Sequence, residues 1–286
     1  MALVVLLSLL LFSCQPSSTN TAVANTPESV LSVEEKAPLQ DTAGTTISTR
    51  FAPPVDYTRV DLPAQSFGAY LRQLPLKSAG SSVFLFNGDR KFRQDVHAAV
   101  IDLDVGNRDL QQCADAVMRL RAEYLWSQEA YDEISFQFTN GFPAVYNRWR
   151  AGERIRVAGN DVSWVRQGQM DTSYRQFRQY LNMAFAYAGT LSLANELEPR
   201  RLQDINVGDV FVQGGSPGHA VIVVDMAKKE GSDTVMIMLA QSYMPAQDIH
   251  VLKNPRRTDN WYPINADTKT INTPEWTFYA QDLKHF

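Results

Sequence analysis

Cysteine and histidine are scarce in this chain: two and four among 286 residues. A scaffold stapled by disulfides is excluded, because at most one pair exists and its members, Cys14 and Cys113, stand in regions of different composition. His97 and His250 have no cysteine, histidine or carboxylate partner at metal-ligand spacing, so neither a metal nor another cofactor is expected. Net charge is also small, at −4, and Lys and Arg form no dense run. That removes the electrostatic footprint of a nucleic-acid binder. No apolar run reaches the ~20 residues that a membrane-crossing helix needs. The glycine-rich stretch Gly214-Gly215-Ser216-Pro217-Gly218 lacks the lysine and the helix start of a phosphate-binding loop. What is abundant is ordinary core material. A 44% hydrophobic content suits a globular chain that buries a core without staples.

Residues Ala2 to Ser13 are apolar or small, as in the hydrophobic region of a secretory signal. They end in Leu11-Phe12-Ser13-Cys14, which resembles the lipobox of bacterial lipoproteins, with an aliphatic residue three before the cysteine and a small one just before it. The resemblance implies lipidation of Cys14 and attachment to a membrane of the bacterial cell envelope through that N-terminal lipid. Gln15 in place of an aspartate favours the outer membrane, with the protein facing the periplasm or the surface. Several acyl chains on one cysteine hold a protein stably where one chain is marginal. Residues 15–52 are mostly Ser, Thr, Ala, Asn, Pro and Glu, the composition of a disordered tether. The expected organisation is therefore a signal over residues 1–14, a tether over 15–52, and one globular domain over 53–286 with halves at 53–165 and 166–286.

In the first half a short helix is expected over Gln65 to Leu74. Ser82 to Phe86, the Asn87-Gly88 turn and Val96 to Val105 suggest a hairpin. Asp109 to Trp126 reads as a helix capped by Asp109 with Gln112 at its third position, and Leu110, Cys113, Val117, Leu120 and Tyr124 repeat at helical spacing. Short strands follow at Ile134 to Phe138, Val145 to Trp149 and Val162 to Val165. In the second half Asp171-Thr172-Ser173 caps a helix that Gly189 stops. The class is α+β.

The chemistry concentrates between Ile205 and Ser242. Asn206-Val207-Gly208-Asp209-Val210-Phe211-Val212 leads through the glycine-rich loop to His219-Ala-Val-Ile-Val-Val-Asp225, an apolar, mostly β-branched run that reads as a strand covered on both faces. A charged turn, Lys228 to Asp233, returns the chain through Thr234 to Ala240. With residues 228 and 233 opposed, His219 falls opposite Ser242, and Gln241 lies one step away. An imidazole opening one strand beside an amide or hydroxyl closing the next is a common way to orient a catalytic histidine. Cys113, in the first turn of a capped helix, is either a small buried hydrophobe or a thiol whose pKa the positive helix end lowers. Thr172 and Ser173 are helix caps by composition. Asp209 and Asp225 flank the strands as turn residues or as supports for a site.

The second half, over about residues 171 to 245, resembles the NlpC/P60 superfamily of papain-like cell-wall peptidases. It carries a helix opened by Asp171-Thr172-Ser173, the Gly-Asp strand Val207-Gly208-Asp209-Val210-Phe211 and the histidine strand His219-Ala-Val-Ile-Val. The resemblance implies an antiparallel sheet packed on helices and maps the family's nucleophilic cysteine onto Thr172, where no cysteine stands. The mature chain as a whole resembles a bacterial lipoprotein family described only as domain of unknown function 4846, through Asp109 to Tyr124, Gly214 to Val223 and Leu239 to Gln247. Two functions follow as expectations. One is a cysteine-type amidase or peptidase acting on peptidoglycan stem peptides, with Cys113 as nucleophile, His219 as base and Gln241 as orienting residue, supported by Ser242 and Asp209. The other is an inactive relative, with Thr172 or Ser173 at the degenerate position, whose cleft binds an envelope peptide or protein partner.

Overall fold

The computed structural model describes residues 40–286. Its first elements are α1 (Ile47–Arg50), β1 (Thr58–Arg59), α2 (Phe67–Arg72), β2 (His97–Val100) and α3 (Cys113–Ser127). A middle segment follows with β3 (Ser135–Gln137), β4 (Pro143–Val145), α4 (Tyr146–Arg150), β5 (Glu153–Ala158), β6 (Asp161–Arg166), α5 (Tyr174–Tyr187) and α6 (Thr190–Glu196). The chain then forms β7 (Glu198–Pro199), β8 (Val210–Gln213), β9 (His219–Lys228), β10 (Val235–Gln241), β11 (His250–Leu252), β12 (Tyr262–Ile264), β13 (Thr270–Asn272), β14 (Thr277–Tyr279) and β15 (Leu283–His285).

β9 organises the molecule. Its β-branched run favours an extended, pleated chain, and every residue from His219 to Ala227 is buried. Nine antiparallel strands form one sheet in the order β2-β11-β10-β9-β8-β15-β7, with β1 also paired to β9 and β12 to β10. The chain is thus α+β around a large antiparallel sheet. α3 packs against β9 and is buried almost all round, with Ala114, Ala116, Val117, Met118, Leu120, Ala122 and Leu125 in the core. Asp115, Arg119 and Glu123 are buried with them, so α3 is a central helix rather than a surface one. α5 is amphipathic instead. It buries Phe177, Tyr180, Leu181, Ala184 and Phe185, the spacing of one helical face.

Several expectations are corrected. The tether does not reach residue 52. Thr46 caps α1 in a reciprocal pair with Thr49, and Ile47 and Phe51, four residues apart, share a face and are fully buried. Two anchoring side chains outweigh a polar average. Trp261 Nε1 donates to Ala52 O at 3.0 Å, fixing the end of this segment. The expected hairpin across Asn87-Gly88 does not form either. That turn is local, with Leu85 N bonded to Asp89 O at 2.8 Å, and β2 pairs with β11. The helix expected from Asp109 begins four residues later, because Gln111 takes a positive φ of 76° and breaks the helical path. Tyr146–Arg150 is helical where a strand was expected. The described residues 40–286 belong to one compact unit, as the expected single domain requires. The residues proposed for lipidation, Cys14 included, lie outside the described residues. No helix among the described residues is long and apolar enough to cross a membrane.

Candidate functional site

Sheet and helix meet at a cavity of about 720 Å³ lined by Cys113, Asp115, His219, Tyr243 and Trp276, with the glycine-rich loop 215–218 and the end of α5 around them. Cys113 is the first residue of α3, and His219 is the first of β9. Gln111 sets the thiol's place. Its left-handed backbone is a strained conformation for a non-glycine residue. Ser242 Oγ holds it by donating to Gln111 O at 2.9 Å, and Arg119 Nη1 by donating to Gln111 Oε1 at 2.7 Å. Asp115, at the third position of α3, accepts from Gln112 N at 2.9 Å and closes the helix start.

His219 is placed by a loop with no room to spare. A Cβ on Gly218 would lie 2.3 Å from Thr190 Oγ1 and 2.6 Å from Gly215 O, so only glycine allows this approach. β9 pairs with β10 through Lys228↔Val235, and a bulge between Met238 and Leu239 shifts the register to Ala240↔Ile222. Continued, that register sets His219 level with Tyr243, not with Ser242 as the sequence suggested. The turn is longer than assumed, and the bulge returns only part of the difference. Gln241, two residues before Tyr243, projects from the same face as His219, and Ser242 from the other.

The hydrogen bonds around Gln241 place every proton. Gln241 Nε2 lies 2.8 Å from Glu275 Oε2, and a carboxylate only accepts, so the amide nitrogen must be there. The amide oxygen therefore faces His219 Nε2 at 2.7 Å, and Nε2 carries the proton. His219 Nδ1 is left with its lone pair. On the far side His250 Nδ1 donates to Asp248 O at 2.9 Å, so its Nε2 is an acceptor for the second Gln241 N–H at 3.4 Å. Lys91 Nζ donates to the other Glu275 oxygen at 2.8 Å and completes the chain. Burial pushes His250 down to about 3, which keeps it the neutral acceptor this arrangement requires.

Burial also pushes His219 down to about 4; the Gln241 hydrogen bond opposes this, and the charge on Lys91 adds to it. The rings of Tyr243, Trp276 and Phe278 lie 4.8, 5.3 and 5.8 Å from the imidazole and keep water from it. Burial raises the Cys113 thiol to about 11, and the charge of Asp115 adds to this. The backbone amides of Ala114, Ala220 and Cys113 pull the other way. Asp115 is itself raised to about 7 by burial, against hydrogen bonds from the Gln112 and Gln111 amides. The resting cavity thus holds a neutral thiol and a neutral imidazole with a free lone pair. Such a pair suits general-base activation of a nucleophile.

Cys113 and His219 line one cavity and Gln241 is hydrogen-bonded to His219, whereas the other proposed residues lie elsewhere. Ser173 caps α5 by accepting from Gln176 N, and Thr172 is exposed. The far end of that helix, Phe185 and Ala186, borders the cavity. At ~1.5 Å per residue Ser173 is some 20 Å away. The cysteine that lines the cavity lies on α3, the helix that carries the Cys113 candidate, and not at the start of α5, where the resemblance mapped the nucleophile. Asp209 is buried and raised to about 6 by burial, and it accepts from Asn206 N at 2.7 Å to shape the turn into β8. Asp225 is buried between Arg59 and Arg72, at 2.7 and 2.8 Å. Both are structural. Sequence reasoning missed Glu275 and Lys91, which come from distant loops with no local pattern, and Tyr243, hidden by the one-residue error in register.

The family model described as domain of unknown function (4846) matches residues 47–285. No curated protein and no solved structure matches the chain.

Proposed function

This chain belongs to the family of the domain of unknown function 4846, and from that premise we propose that it is a cysteine-type amidase or peptidase acting on cell-wall peptides of the bacterial envelope. The observation that carries the reading is the meeting of Cys113, at the start of α3, with His219 in one cavity, where the hydrogen bond to Gln241 leaves Nδ1 free to accept a proton. Thiol on a central helix, histidine opening a strand and amide closing the next is also the order of elements in papain-like peptidases, including the NlpC/P60 superfamily. The Leu11-Phe12-Ser13-Cys14 pattern supports export and lipid attachment at Cys14, which would bring the cavity to envelope substrates.

In the proposed reaction His219 Nδ1 takes the Cys113 proton as sulfur attacks the carbonyl carbon of a bound amide. The backbone N–H groups at the start of α3 have no partners within the helix and stabilise the oxygen that becomes negative. The imidazolium then hands its proton to the leaving amine as the C–N bond breaks, leaving a thioester. Water, deprotonated by the same imidazole, releases the acid and restores the thiol. Gln241 keeps the ring in the required tautomer throughout.

A second reading, a non-catalytic cleft that binds an envelope peptide or protein partner, draws on the raised thiol: a group at about 11 is a poor resting nucleophile. Incubating muropeptides with the protein and analysing them by mass spectrometry separates the two. Amide cleavage by the native chain, abolished by Cys113→Ser and lowered ~10²–10⁴-fold by His219→Ala, is expected. Uncleaved, identical profiles from all three proteins would overturn the peptidase reading and favour binding.

A further inference from the structure

Beside the thiol cavity, past the last turn of α5, lies a second depression of about 650 Å³ whose wall includes Arg108, Trp149, Arg154, Gln179, Asn182 and Ala186. The two are contiguous. Ala186 borders both, and Arg108 lines the second while its neighbour Asp109 lines the first. Their chemistry is opposite: the thiol cavity holds Asp109 and Asp115 and no lysine or arginine, whereas the second holds two arginines and no acid.

Those arginines keep their charge unneutralised. Arg154 Nη1 donates to the carbonyls of Trp149 and Glu153 at 2.8 and 2.6 Å, and Nη2 donates to Gln176 Oε1 at 2.9 Å. All three acceptors are neutral, and the guanidinium is held 4.4 Å over the Trp149 ring. Two nearby acids in the sequence are committed elsewhere, Asp104 to Arg178 at 2.9 Å and Glu153 to Arg148. Among the described residues neither Arg108 nor Arg154 forms an ion pair. The rest of the wall offers amide donors from Gln179 and Asn182. A fixed cation, a second cation free to close over a ligand, and neutral donors between them are the ingredients of carboxylate recognition.

We propose that this depression is a subsite for a free carboxylate carried by the same peptide whose amide enters the thiol cavity. The inference rests on the peptidase reading and narrows its substrates to peptides with an acidic side branch near the bond attacked.

The test uses two synthetic peptides, L-alanyl-γ-D-glutamyl-L-lysyl-D-alanine amide with its glutamyl α-carboxylate free, and the same peptide with that group as a carboxamide. Binding is measured by calorimetry with the Cys113→Ala chain, and cleavage with the native chain. The free carboxylate should bind about tenfold more tightly, and adding Arg108→Ala should remove that difference while leaving the carboxamide form unchanged. Arg108 is exposed and makes no ion pair, so this variant folds. Equal affinities, or an equal loss for both peptides on Arg108→Ala, would overturn the subsite. Cleavage of both at equal rates would retain the reaction and discard the subsite, and neither binding nor cleavage of either would discard both.

Discussion

His219 and Cys113 line one cavity as neutral groups, and the reason is burial. Removing either from water disfavours its charged form, which lowers the imidazole to about 4 and raises the thiol to about 11. A preformed thiolate–imidazolium pair would reverse both shifts, so the two states are distinguishable by titration. The sign follows directly: a thiol with a raised pKa stays protonated as pH rises through ~8.5, where a free cysteine ionises. Alkylation of Cys113 by iodoacetamide, measured against a Cys113→Ser control, should therefore keep accelerating with pH beyond 9. A rate that levels off below pH 7 would mean that the thiolate is already formed. Glu275 acts at the same scale. Without its carboxylate only the longer contact to His250 Nε2 keeps the Gln241 amide presenting oxygen to His219, and the tautomer that leaves Nδ1 free loses its main support.

Among the elements, the loop between β8 and β9 fixes where the imidazole begins. Its glycines are set by contact rather than by turn type, since Gly218 has Thr190 Oγ1 and two carbonyl oxygens where a Cβ would be. Gly218→Ala must displace that loop or the start of α6. We expect it to cost about 1–3 kcal/mol, the range for overpacking a tight site, and to weaken any cleavage more than it lowers the urea midpoint. Unchanged cleavage with a lowered midpoint would show that the loop serves stability alone. The helix-forming pattern of α3 was legible in the sequence and its first residue was not. Gln111 ends the helical path through contacts from Ser242 and Arg119, and no local propensity encodes those contacts.

At the scale of the whole molecule the expected tether and the fold share a boundary that composition misjudged. Ile47 and Phe51 are fully buried, and Arg50, nearly so, donates to Gly44 O at 2.7 Å. A chain beginning at Pro53 loses both apolar side chains, each worth ~1.5–3 kcal/mol of burial. It should unfold at a urea concentration well below that of a chain beginning at Gln40. Coincident unfolding curves would show that the segment only rests on the surface. The central sheet likewise draws on both expected halves, with β1 and β2 from the first and the remaining strands from the second. Neither half is a folding unit.

The sequence by itself determined the elements whose signal is local: the buried run of β9, the face of α5 with its Ser173 cap, the helical core of α3, and His219 beside Gln241 across a hairpin. Each follows from residue periodicity or capping within a short window. Tertiary structure alone decided which helix start opens onto the cavity that His219 lines. It chose Cys113 over Thr172, because helix–sheet packing joins residues far apart in the chain and carries no periodic trace. The register of β9 on β10 was likewise decided by a longer turn and a bulge, which together set Tyr243 instead of Ser242 opposite the imidazole. A one-residue shift moves every side chain to the other face of the sheet, and only the folded sheet fixes that choice.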